Sequence, residues 1–94
     1  MAVGNITLRI KLPGCRTLKE KRSRIAPILH QLHEKFNLSV SEIDQQDLHQ
    51  QTVIACALVA NEHVFIEKSL HEVVQYLESH WPDEILYSQA VEIY

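Results

Sequence analysis

An α+β sandwich with the element order βαββαβ is the fold class this sequence predicts, and three patterns predict it. Residues 5–12 alternate polar and apolar with a period of two. Two segments starting near Leu18 and Ile66 carry apolar stripes at helical spacing, and residues 52–60 are apolar on both parities. Ninety-four residues supply one hydrophobic core at most, so 1–94 is read as a single domain.

In the first strand Ile6, Leu8, Ile10 and Leu12 point one way, while Thr7, Arg9 and Lys11 share the other face. Pro13-Gly14 ends it, because Pro cannot donate to the ladder and Gly tolerates turn dihedrals. Thr17 and Glu20 form a capping box: the hydroxyl accepts from the Glu20 amide, and the carboxylate reaches back to the Thr17 amide. In the helix that follows, Leu18, Ile25, Ile28, Leu29, Leu32 and Phe36 make one stripe. Pro27 lies opposite that stripe, where water can satisfy the freed Ser23 carbonyl, so a bend is expected there and not a break. Asn37 closes the helix in the left-handed region.

Leu38 and Val40 keep one parity and Ile43 the other, so the strand from Leu38 to about Gln45 is expected to bulge near Ser41-Glu42. Gln45 to Gln51 is a polar loop. Thr52 to Ala60 reads as a central strand. Asn61 is the expected N-cap of a second helix carrying Ile66, Leu70, Val73, Val74, Leu77 and Trp81, which Pro82 stops. Ile85 to Tyr94 is a last strand of mixed polarity at an edge. Right-handed crossovers with both helices on one face give a ferredoxin-like sandwich, an antiparallel sheet of spatial order 4-1-3-2. The other sheet face is then open, and Ile54, Cys56 and Leu58 are expected on it as an apolar interaction face for a homo-oligomer or another partner, the exposed edge of the last strand being the other route to such pairing.

With 46% hydrophobic and 22% charged residues the composition excludes a disordered chain. The apolar run from Val53 to Ala60 falls far short of the ~20 residues that cross a bilayer. Arg9 and Lys11 interrupt the first apolar stretch, which argues against a signal segment, and two cysteines make no disulfide framework. A cytoplasmic protein without a membrane partner is the expectation.

Charge is distributed unevenly. Residues 1–35 hold eight Lys and Arg against Glu20 and Glu34, a balance of +6. The remainder holds ten carboxylates against Lys68, a balance of −9. A segment this basic suits a polyanion, although two helix faces of opposite sign that attract one another would show the same asymmetry.

No nucleotide-binding Gly-rich loop and no nucleophile elbow is present. Cys15 precedes a basic helix start, which favours a thiolate, but a small turn residue is the better reading without an adjacent base. His30 and His33 lack a third ligand and read as solvated. Glu42, Asp44, Asp47 and His49 could gather around a cation, yet calcium-loop spacing is missing and Asp47 reads better as an Asx turn. No metal, cofactor or catalytic residue is therefore assigned, and the protein reads as a non-enzyme.

Phosphate is the ligand the remaining residues suit. Arg9, Lys11, Arg16, Lys19, Lys21, Arg22 and Arg24 surround a helix N-terminus, whose amides and partial positive charge favour anions. For Lys21 and Arg22 the alternative is snorkelling, with stems on the core and heads meeting acids of the second half. The central strands carry no aromatic residue, so bases could not be stacked as in an RNA-recognition motif.

Two segments carry a resemblance. Leu12-Pro13-Gly14-Cys15-Arg16-Thr17-Leu18-Lys19-Glu20-Lys21-Arg22, and later the Glu-x-Asp-x-x-Asp-Leu element at Glu42, Asp44, Asp47 and Leu48, resemble the bacterial YlxP-like family, a domain of unknown function. The resemblance runs from about Gly4 to Glu78 and leaves the tail from Trp81 uncovered. It implies a ferredoxin-like fold and a gene neighbourhood associated with ribosome maturation and translation initiation, and no established activity. Together with the basic segment, it makes RNA or a ribosome-associated component the expected partner.

Overall fold

A computed structural model describes residues 1–45 and 47–94. The elements run β1 (Ala2–Lys11), α1 (Leu18–Phe36), β2 (Ser39–Asp44), β3 (Gln51–Ala60), α2 (His63–His80) and β4 (Ile85–Ile93). The four strands form one sheet in the order β2-β3-β1-β4, every neighbouring pair antiparallel, which is the expected 4-1-3-2 arrangement.

Both helices lie on one face because each has one apolar stripe to bury. Ile25, Ile28 and Leu32 from α1, with Ile66, Leu70, Val73 and Leu77 from α2, close over Ile6, Leu8 and Ile10 of β1. Burying each such side chain contributes about 1.5–3 kcal/mol. The long helix α1 runs through Pro27 without interruption; that residue is exposed, so its missing donor faces water. Asn37 adopts φ 50° and ψ 51°, and its amide reaches the His33 carbonyl.

Three local features differ from expectation. Glu20 does reach back, but to the amide of Arg16 at 2.8 Å and not to that of Thr17, while Thr17 Oγ1 accepts from the Glu20 amide at 3.0 Å. Glu62, not Asn61, is the N-cap of α2, and it makes no side-chain capping bond. The bulge in β2 falls between Glu42 and Asp44, one step later than the parity suggested. A second bulge lies in β4, where the register with β1 shifts between Arg9 and Ile10.

Register decides which side chains the helices cover. Ile6 pairs with Cys56, Leu8 with Ile54 and Gly4 with Leu58, so Ile54, Cys56 and Leu58 point into the core. The expectation that they form the open face is therefore wrong. Val53, Ala55, Ala57 and Val59 occupy that face instead, opposite Arg9, Thr7, Asn5 and Val3. Physical size explains the choice: of the two apolar parities, the one with more area to remove from water turns to the helices. Gly4 has its own reason to be small, because a Cβ there would collide with Ile66 Cγ2 of α2.

No helix of the described residues is long and apolar enough to cross a membrane.

Candidate nucleic-acid interface

The seven predicted cations divide into two classes. Lys21 is buried, with 2% of its side chain exposed. Its Nζ lies 2.8 Å from Glu42 Oε2 and donates to the carbonyls of Gln45 at 2.6 Å and Leu48 at 2.7 Å. Thr52, also buried, donates to the same carboxylate oxygen at 2.6 Å. Every ammonium proton of Lys21 thus has an acceptor inside the protein, and none is left for a phosphate. Gln45 sits at φ 60°, which helps aim its carbonyl at both Lys21 and the Leu48 amide. A structural lysine here ties α1 to the β2–β3 hairpin.

Arg24 is likewise engaged. It pairs with Glu84 just before β4 and donates from Nη1 to the Pro13 carbonyl at 2.8 Å. The hydrogen bond to Glu84 raises its pKa further above the ordinary arginine value, the charge of the same carboxylate adding to the effect. Lys21 and Arg24 are therefore removed from the expected phosphate-binding set. For Lys21 the snorkelling alternative holds, its head meeting an acid from the second half of the chain.

Arg9, Lys11, Arg16, Lys19 and Arg22 are exposed, and none forms an ion pair among the described residues. Topology brings them to one end of the molecule, because β1 runs into α1 through the short turn 12–17. Arg16 lies in that turn, and Lys19 and Arg22, three residues apart at the start of α1, share a helix face. Lys11 stands on the open sheet face with its Nζ 5.2 Å from the centre of the Tyr87 ring. The first-turn amides of Leu18 and Lys19 have no partner inside the helix, whereas Glu20 spends its carboxylate on the Arg16 amide. No local sequence signal points to this tyrosine, since only the β4 register places it beside Lys11.

The other candidates do not converge. Among the described residues no group of three or more His, Cys, Asp or Glu side chains is placed to hold a metal. Glu42 faces inward to Lys21, and Asp44 accepts a backbone bond from the Gln45 amide at 2.7 Å. His33 Nδ1 lies 2.7 Å from the Leu38 carbonyl, so one ring nitrogen is committed to the end of α1.

Both thiols are buried. Cys15 Sγ donates to the Thr17 carbonyl at 3.6 Å, as suits a turn residue. Burial pushes the Cys56 thiol up from 9.0 to about 12. Because the folded value is raised, the stability that Cys56 contributes is fully present below its unfolded pKa and is lost as pH rises from there towards about 12. In the native protein at about pH 8, a thiol reagent is expected to label neither cysteine until the chain unfolds. Fast labelling of Cys56 under native conditions would contradict its place beneath the helices.

Comparison with known proteins agrees with this reading of the motifs. Residues 3–90 match the model of a family described as a protein of unknown function, DUF503. The match continues through α2 into β4, past the Glu78 limit of the motif resemblance. The uncharacterized protein YlxP of Bacillus subtilis (strain 168) is 41% identical over 63 residues, covering 67% of this chain and 68% of its own. Among solved structures, Rv0793 from Mycobacterium tuberculosis superposes with a TM-score of 0.54 at 12% identity, over 100% of this chain and 93% of that one. SnoaB, a cofactor-independent oxygenase from Streptomyces nogalater, gives 0.50 at 12% identity, over 99% and 90%. At such identity these two show a shared fold and nothing about chemistry. The two motif segments meet in space: Lys21 belongs to the first, and Glu42 and the Leu48 carbonyl to the second.

Proposed function

We propose that this chain, which belongs to the DUF503 family, is a non-enzymatic RNA-binding or ribosome-associated accessory protein. The observation that carries the reading is the exposed trio Arg16, Lys19 and Arg22 around the start of α1, each without an ion-pair partner among the described residues. Lys11 flanks the trio at the end of β1. Guanidinium and ammonium groups beside unpaired helix amides recognise phosphate oxygens in any sequence context. The central strands offer no aromatic side chain for stacking, so affinity rests on the backbone and shape of a structured RNA.

Such binding is strongly salt-dependent, because each neutralised phosphate releases counterions. The test is a titration of a structured RNA with wild type and with the Arg16→Glu/Lys19→Glu/Arg22→Glu variant at two salt concentrations. Wild type is expected to bind and to weaken steeply with salt, and the variant to lose at least ~100-fold in affinity at the lower salt. All three residues are exposed, so the variant should keep the wild-type circular dichroism spectrum. Superimposable titrations from two folded proteins would end the proposal.

A further inference from the structure

We infer that the open sheet face binds a second copy of this chain. This goes beyond the nucleic-acid reading and does not depend on it, since Arg16, Lys19 and Arg22 lie in the turn and on α1, away from that face, and only the flanking Lys11 stands at its end. The row across the middle of the face is Ser41, Ala55, Thr7 and Ala90, all small and uncharged. Two residues towards the end of β1 comes Arg9. Two residues towards its start comes Asn5, with Glu92 beside it on β4.

A two-fold axis along the middle row turns these outer rows onto each other. Small side chains then meet at the axis, where the sheets approach most closely. Arg9 of each copy comes over Asn5 of the other, one strand from Glu92, and the contact occurs twice, as an isologous interface requires. Among the described residues of its own chain, Arg9 has no ion pair and the Glu92 carboxylate accepts only the Tyr94 hydroxyl, at 2.9 Å. The face is thus complementary in charge to itself when inverted. Four strands about 4.8 Å apart over about 26 Å present roughly 500 Å² per copy, so the pair buries on the order of 1,000 Å², the lower bound for a specific interface. An RNA occupant would find no stacking platform in that middle row.

Sedimentation of the full chain over a wide concentration range, without nucleic acid, reads the association directly. Wild type is expected to dimerise, and Ala55→Arg, which places a charge at the axis, to be monomeric. Arg9→Glu and Glu92→Arg are each expected to weaken the dimer about tenfold or more, and the double exchange to restore most of that loss. Thermal unfolding of each variant confirms that it is folded. A wild-type monomer at every concentration would overturn the inference and leave the face to a different molecule. A dimer indifferent to Ala55→Arg would overturn it as well, by placing the contact at an edge strand.

Discussion

Lys21→Met is expected to lower the free energy of unfolding by about 3–5 kcal/mol, the usual cost of removing one member of a buried pair. The substitution keeps the stem on the core but strands the Glu42 carboxylate, which then keeps only Thr52 among the described residues, and takes a donor from the Leu48 carbonyl and from the Gln45 carbonyl, which retains the Leu48 amide. For a domain of this length total stability is about 5–14 kcal/mol, so the variant sits near the folding threshold. Urea denaturation gives the value. Adding Glu42→Leu to the variant should return part of the loss, because the orphaned charge goes with it, although Thr52 then keeps an unmet hydroxyl. A loss below about 1 kcal/mol would mean that the pair behaves like an exposed one.

The second large effect is expected at Gly4. A Cβ at this position meets Ile66 Cγ2, and Leu70 Cδ1 lies 3.5 Å away, so α2 must lift from β1 to admit any side chain. Gly4→Val should cost about 3 kcal/mol or more, since overpacking forces a backbone shift between two elements of the core. Gly4→Ala with Ile66→Ala tests the cause: the double variant should be more stable than the sum of the single losses predicts, because each change makes room for or fills the other. Strict additivity in denaturation experiments would place the close approach elsewhere.

The layered order and the strand sequence in the sheet were legible because each rests on a strong period. Alternation in β1, two helical stripes and one doubly apolar strand permit few other two-layer arrangements. The side of β3 that faces the helices was not legible from parity alone, since both sets are apolar. Residue volume held the missing signal: Ala55 and Ala57 bury little, whereas Ile54 and Leu58 bury much.

The candidate site was legible as charge but not as geometry. Eight cations in the first 35 residues mark a basic segment, yet which of them stay free depends on acids far along the chain. Glu42 pairs with Lys21, and Glu84, 60 positions away, pairs with Arg24. No local spacing encodes contacts of that range. What the sequence did contain was the pair of family-like segments, and the buried ion pair between them supplies their physical meaning. These segments hold α1 against the β2–β3 hairpin and thereby fix the helix start from which Arg16, Lys19 and Arg22 project.

The proposed division between structural and phosphate-binding cations can be measured as a salt slope. RNA affinity of wild type and of the single variants Arg16→Gln, Lys19→Gln and Arg22→Gln is followed against salt concentration on logarithmic axes. Each variant should reduce the slope by about 0.7 to 0.9, the release expected for one lost phosphate contact, while keeping wild-type stability. Slopes equal to wild type in all three would contradict a phosphate-binding surface at the start of α1.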